Sequence, residues 1–173
     1  MTMSQETIKT WIFSQQPLFC HGIRHSFAKA NDIEIAGEAK VTDKMSLTIE
    51  IMPPDVAIVD VDTAPDSGLN LVQRIKQVTP STGVIVLASN TDDDQLFKAL
   101  QVRASAYLSK DISGDELCDI IRCVAHGEYP INESLNIRPR VAEKILDQFQ
   151  ELSQQREVET LISPLTSRET EIV

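Results

Sequence analysis

This chain of 173 residues has no long hydrophobic run and carries little basic charge. No apolar stretch approaches the roughly 18–20 residues of a membrane span, so the sequence predicts no transmembrane helix. The polar N-terminus lacks a basic region followed by an apolar core, which argues against a signal peptide. Sixteen basic residues against 26 acidic ones leave a net charge of −10, which argues against nucleic-acid binding through a broad basic face.

Cysteine is also scarce, with only Cys20, Cys118 and Cys123, an odd number without C-x-x-C spacing. This usage predicts a reduced, cytoplasmic protein in which each cysteine acts as a small buried hydrophobe. The hydrophobic share of 42% and the charged share of 24% are typical of a globular protein. The length fits one domain of about 100–150 residues with an appendage.

Short apolar runs alternate with helical patterns across residues 7–127. The strand candidates are Ile8–Phe13, Ile33–Ala39, Asp55–Val61, Val84–Leu87 and Ala104–Leu108. The third run is apolar almost throughout, which indicates burial on both faces, as in a parallel sheet. Five alternations predict an α/β domain with a doubly wound, five-stranded parallel sheet. Such folds bind ligands at the carboxyl ends of their strands. That edge is predicted to hold Ser14, Gln15, Asp60, Ala88 and Lys110.

The pattern changes after Gly127, and residues 128–163 are predicted to form a helical linker. A helix over 140–155 carries an apolar stripe of Val141, Ile145, Phe149 and Leu152. The stripe favours either docking on the chain's own α/β domain or pairing with a second copy, and its spacing fits both. Residues 164–173 are predicted to start another helix.

Three segments resemble a known family. They are Gln16 to Arg24 (with Gln-Pro-Leu-Phe and Gly-Ile-Arg), Pro54 to Asp60, and Ala106 to Asp111. In this order and spacing they resemble the flavodoxin-like receiver domain of bacterial two-component response regulators of the NarL/FixJ type. Residues 165–173 resemble the first helix of that family's LuxR-type helix-turn-helix, so 164–173 are expected to begin a truncated DNA-binding domain.

The resemblance implies a phosphorylation switch. In the family, an aspartate ending the third strand accepts a phosphoryl group from a histidine kinase, and an acidic pair after the first strand helps to hold Mg²⁺. Matching positions make Asp60 the phosphoacceptor and Lys110 the phosphate contact. Ala88 and Tyr107 fall on the two switch positions, and Ser14 and Gln15 fall on the acidic pair. The resemblance also implies a cytoplasmic transcriptional regulator that is not an enzyme, and DNA contact only through the missing helix-turn-helix.

Three of these positions depart from the family pattern, the two of the acidic pair and one switch position. Ser14 and Gln15 offer neutral oxygens where Mg²⁺ relies on carboxylates, so we expect Mg²⁺ binding to be weak or absent and predict no other metal or cofactor. Asp62 is a candidate to replace one acidic ligand of Mg²⁺, whereas the family pattern has two. Ala88 has no hydroxyl to bond a phosphoryl oxygen, although Ser89 is adjacent.

These departures favour regulation without Mg²⁺-dependent phosphorylation, through homodimerisation, a ligand or a partner protein. The alternatives are a conventional phosphorylation switch on Asp60 and a pure dimerisation module. With the metal ligands gone, we expect a direct ion pair between Asp60 and Lys110. His21 and His25 share a helix face, but two ligands are too few for zinc, so we expect exposed helix residues.

Overall fold

The computed structural model describes residues 6–41, 46–62, 64–133 and 138–162. The described strands are β1 (Ile8–Phe13), β2 (Ile33–Ala39), β3 (Val56–Asp60), β4 (Gly83–Ala88) and β5 (Ala106–Ser109). The main helices are α1 (Pro17–Phe27), α2 (Ser46–Ile51), α3 (Pro65–Val78), α4 (Asp93–Gln101), α5 (Gly114–Ala125) and α6 (Pro139–Ile162). Within these ranges no helix is long and apolar enough to span a bilayer. The segment 164–173, predicted to begin a further domain, lies outside them.

The strands form one parallel sheet in the order β2-β1-β3-β4-β5, which confirms the predicted doubly wound fold. Both faces of the sheet are covered, and the central strand β3 is buried along its whole length. In the register, Phe13 pairs with Val59, and Asp60 pairs with Leu87. The carboxyl ends of β1, β3 and β4 therefore meet at one edge, and the candidate residues lie there.

Local signals set several helix ends. Pro17 and Pro65 occupy the first turns of α1 and α3, where the missing N–H of proline costs no hydrogen bond. At the start of α5 the Ser113 hydroxyl accepts from the Glu116 N–H at 3.2 Å, which is an N-cap hydrogen bond. Beyond this helix, Gly127 has a φ of 88°, in the left-handed region that favours glycine.

Several element boundaries differ from the predictions. Strand β5 begins at Ala106 rather than Ala104, because a turn with a φ of 63° at Arg103 comes first. Strand β4 extends one residue beyond the predicted run at each end, to Gly83 and Ala88. Helix α6 runs to Ile162, well past the predicted end at Gln155.

The first part of α6 docks on α4. Val141 is fully buried in the core, and Ile145 packs against the same core cluster. Two ion pairs frame this contact, Arg138 to Asp93 at 3.0 Å and Lys144 to Asp94 at 2.6 Å. The beginning of the predicted stripe therefore binds the chain's own domain.

Candidate functional site

Asp60 ends β3 with a side chain that is completely buried. Its Oδ2 accepts a hydrogen bond from the Ser14 hydroxyl at 2.7 Å. Its Oδ1 lies 2.9 Å from Lys110 Nζ and accepts from the Asp62 N–H at 3.0 Å. A buried carboxylate needs both hydrogen bonds and a compensating charge, and Asp60 has both from side chains and backbone alone.

Lys110 is the centre of the polar network. Besides Asp60, its ammonium lies 2.7 Å from Asp62 Oδ2 and donates to Gln16 Oε1 at 2.9 Å. The three donors of an ammonium group thus meet three oxygens. The Phe19 ring adds a cation–π contact, with its centroid 4.3 Å from Nζ. The ion pair expected between Asp60 and Lys110 is present, and Lys110 also neutralises part of the charge of a second carboxylate.

Asp62 is held between Lys110 and Ser89. The Ser89 N–H donates to Asp62 Oδ1 at 2.8 Å, and the Ser89 hydroxyl donates to Oδ2. Burial disfavours the charged form of Asp62, but the hydrogen bonds from Lys110 and Ser89 outweigh it and lower the pKa of this carboxyl. The structure therefore joins the two residues that the sequence offered as separate replacements, Asp62 for a metal ligand and Ser89 for the switch hydroxyl.

The two residues at the acidic-pair positions have different surroundings. Ser14 is buried and contacts Asp60 directly. Gln15 instead accepts from the Val41 N–H at 3.2 Å, beyond the end of β2. Its neighbour Gln16 reaches Lys110. Sequence reasoning did not name Gln16 as a site residue. Its position between the end of β1 and Pro17, at the predicted ligand edge, was the signal that could have identified it.

The two switch positions lie on neighbouring strands. Ala88 is buried at the end of β4. Tyr107 on β5 is 5% exposed, and its hydroxyl accepts from the Asp92 N–H at 3.2 Å and donates to Gln95 Oε1 at 2.6 Å. Burial raises the pKa of the Tyr107 phenol. The tyrosine thereby fastens β5 to the first turn of α4, the helix on which α6 docks.

A comparison with known proteins supports this architecture. The response regulator receiver domain family matches residues 12–122. The chain belongs to this family. The transcriptional regulatory protein YxjL of Bacillus subtilis is 29% identical over 171 residues, which cover 99% of this chain and 76% of YxjL. YhcZ of the same organism, also a transcriptional regulatory protein, is 34% identical over 66% of this chain and 53% of its own length.

Solved structures show the same fold. The receiver domain of the putative response regulator NarL from Mycobacterium tuberculosis has a TM-score of 0.65 at 22% identity, covering 71% of this chain and 99% of that domain. A LuxR-family two-component response regulator from Aurantimonas sp. SI85-9A1 has a TM-score of 0.67 at 18% identity, covering 82% of this chain and 99% of its own. The predicted resemblance to NarL-type response regulators is confirmed.

The metal that the receiver family implies does not fit the donor set found here. Mg²⁺ is usually held by one or two carboxylates together with several waters. Asp60 Oδ1 and Asp62 Oδ2 both face Lys110, and Asp60 Oδ2 faces the neutral Ser14 hydroxyl. A divalent cation would have to displace an ammonium group from between the two carboxylates. In the part of the chain that the structure describes, no group of three His, Cys, Asp or Glu residues is arranged to hold a metal.

A cleft of about 340 Å³ opens beside Ser14 in the receiver domain. Its polar lining includes Ser14, Gln15, His21, Arg24, Glu38 and Lys40. Arg24 and Glu38 form an ion pair across it at 2.6 Å. His21 and His25 are exposed on α1, as expected.

Removing the hydroxyl of Tyr107 is expected to loosen the receiver domain at α4. A Tyr107→Phe variant leaves the Asp92 N–H and the Gln95 side chain without this partner, which should lower the free energy of unfolding by about 0.5–1.5 kcal/mol. Urea unfolding followed by circular dichroism measures the loss. Tyr129→Phe removes a hydroxyl from an exposed ring and is the control. Equal effects of the two variants would show that the hydroxyl of Tyr107 contributes nothing.

Proposed function

We propose that this chain is the regulatory part of a DNA-binding transcriptional response regulator that works without Mg²⁺-dependent phosphorylation. The carrying observation is Ser14, a neutral hydroxyl that donates to Asp60 at an acidic-pair position, while the Lys110 ammonium lies within 2.9 Å of both Asp60 and Asp62. The internal cation and the Ser14 hydroxyl together satisfy the carboxylate that would otherwise accept the phosphoryl group. Dimerisation, a ligand or a partner protein then provides the control.

Charge supports this proposal. Phosphoryl transfer depends on a metal ion that bridges and neutralises the phosphate oxygens. Ser14 replaces an anionic ligand with a neutral one at the position that touches Asp60. The site then holds two carboxylates, Asp60 and Asp62. The Lys110 ammonium already lies between them. The site should therefore attract Mg²⁺ weakly, and without the metal the transfer loses its main source of charge neutralisation.

The proposed protein is a cytoplasmic regulator rather than an enzyme, and its coupling to transcription passes through α6. Tyr107 ties β5 to α4, and Arg138 and Lys144 tie α6 to the same helix. A change at this edge of the receiver would reach the linker through α4. DNA contact would belong to a helix-turn-helix domain, and residues 164–173 resemble the beginning of such a domain. A histidine kinase is the partner only under the alternative of a conventional switch on Asp60.

Incubation with acetyl phosphate and Mg²⁺, followed by intact-mass measurement, tests the proposal. We expect no mass increase corresponding to one phosphoryl group. Asp60→Asn sets the baseline, and a receiver domain that carries the acidic pair confirms that the reagent is active. A phosphorylated species in the natural chain but not in Asp60→Asn would overturn the proposal in favour of the conventional switch.

A further inference from the structure

The cleft of about 340 Å³ beside Ser14 lies at the carboxyl ends of β1 and β2. Helix α1 contributes His21 and Arg24 to its lining, and the end of β2 contributes Glu38 and Lys40. Small-molecule sites usually occupy about 300–1,000 Å³. In a doubly wound fold, ligands bind at this edge of the sheet. The cleft therefore has the size and the place of a site for a small organic molecule.

The lining of this cleft is positively charged, in contrast to the chain as a whole. Arg24 and Lys40 carry positive charges, and Glu38 carries the one negative charge among the described residues that line it. The whole chain has a net charge of −10. His21 adds an imidazole that can donate a hydrogen bond. A cleft lined by one sign of charge concentrates ligands of the opposite sign, so this one favours an anion.

Arg24 is the group best suited to hold the anion. Its Nε donates to Glu38 Oε1 at 2.6 Å, and this ion pair orients the guanidinium group. Within the described part of the chain, Arg24 has no other hydrogen-bond partner, so its two terminal nitrogens are still able to donate. A guanidinium group can bind two oxygens of one phosphate or carboxylate in parallel. The ion pair with Glu38 thus leaves Arg24 able to bind an anion.

Ser14 and Gln15 also line the cleft. Aspartates at these two positions would place two negative charges on the wall of the cleft and would repel an anion. The Ser14 hydroxyl donates to Asp60 as well, and Lys110 compensates the charge of that carboxylate. The replacement that disfavours Mg²⁺ therefore also makes the cleft compatible with a negatively charged ligand.

A phosphate group fits this lining better than a carboxylate. A phosphate monoester presents three acceptor oxygens and about 1.5–2 negative charges near neutral pH. Two oxygens can bind the terminal nitrogens of Arg24, and the third remains for Lys40 or His21, which line the same cleft. A carboxylate offers two oxygens and one charge. We propose that this cleft binds the phosphate group of a small organic phosphate, with Arg24 as its main ligand.

This inference names the class of ligand that the proposed function leaves open, and it rests on that proposal only for its regulatory meaning. Titration of the isotope-labelled 173-residue chain with inorganic phosphate at constant ionic strength, followed by NMR, tests it. We expect saturable chemical-shift changes at the amides of Ser14, Arg24 and Lys40. Ribose 5-phosphate should shift the same amides with at least equal affinity, and uncharged ribose should shift none.

Two double variants that keep the net charge separate this site from a general attraction of anions. Arg24→Gln with Glu38→Gln removes the ion pair of the cleft and should weaken phosphate binding at least tenfold. Arg122→Gln with Asp32→Asn removes an ion pair between α5 and the start of β2, outside the cleft, and should leave the affinity within twofold. The dispersion of the amide spectrum shows that each variant is folded.

Shift changes that do not saturate, or that lie outside the cleft, would overturn the inference, as would equal effects of the two double variants. Saturable binding of inorganic phosphate without binding of ribose 5-phosphate would overturn the organic ligand and make free phosphate the occupant. The acetyl phosphate assay is independent of these results. Absent binding with no labelling removes the cleft ligand alone, and binding with labelling removes the proposed function alone.

Discussion

Replacing Lys110 with methionine is expected to lower the free energy of unfolding by about 3–5 kcal/mol, the usual cost of removing one partner from a buried ion pair. Asp60 is fully buried and would lose its compensating charge. Asp62 and Gln16 would lose the same ammonium group. Urea unfolding at pH 7, followed by circular dichroism, measures the loss.

Two further variants make this prediction decisive. Lys29→Met removes an exposed lysine and should change the unfolding free energy by less than about 0.5 kcal/mol. Asp60→Asn added to Lys110→Met removes the uncompensated charge, so it should recover part of the loss and keep the fold measurable if the single variant unfolds. A Lys110→Met protein as stable as Lys29→Met would show that the network does not hold the site together.

Replacing Ser14 and Gln15 with aspartate is expected to make stability depend on Mg²⁺. The Ser14 hydroxyl lies 2.7 Å from Asp60 Oδ2, so a carboxylate there would face a second carboxylate and repel it. Mg²⁺ would relieve that repulsion and would bind only the folded chain. Binding of this kind stabilises by about 2.7 kcal/mol at a metal concentration 100 times the dissociation constant.

Thermal unfolding with MgCl₂, against NaCl of equal ionic strength, measures this effect. The natural chain should show no Mg²⁺-specific shift. Gln15→Asp alone should show little, because the Gln15 side chain reaches the Val41 N–H rather than Asp60. An equal Mg²⁺-specific rise in the natural chain would contradict the proposed function, since it would mean that Ser14 permits metal binding.

Sequence reasoning correctly located the features that depend on the local pattern of apolar and polar residues. Apolar runs identified the strands, and the near-continuous run before Asp60 indicated a strand buried on both faces. Local residues also mark helix starts in the structure, such as Ser113 before α5. The places of Asp60 and Lys110 followed from the same pattern, because the carboxyl ends of parallel strands meet at one edge of a sheet.

The missed features concern side chains in loops. Ser14, Gln15 and Gln16 are consecutive, yet the first meets Asp60, the second the end of β2 and the third Lys110. Beyond a strand, the alternation of side-chain direction no longer holds, so sequence cannot assign these directions. The pairing of Asp62 with Ser89, 27 residues away, also depends on where two loops come together.

The pattern of residues alone was enough to predict the alternating α/β architecture, the edge that carries Asp60 and Lys110, and the amphipathic character of α6. The tertiary structure was needed to show that one lysine joins Asp60, Asp62 and Gln16, which lies 94 residues before it in the chain. It also decided that Val141 is buried while Phe149 is exposed on the same stripe. Periodicity records which face of an element is apolar. The partner of that face depends on how distant segments pack.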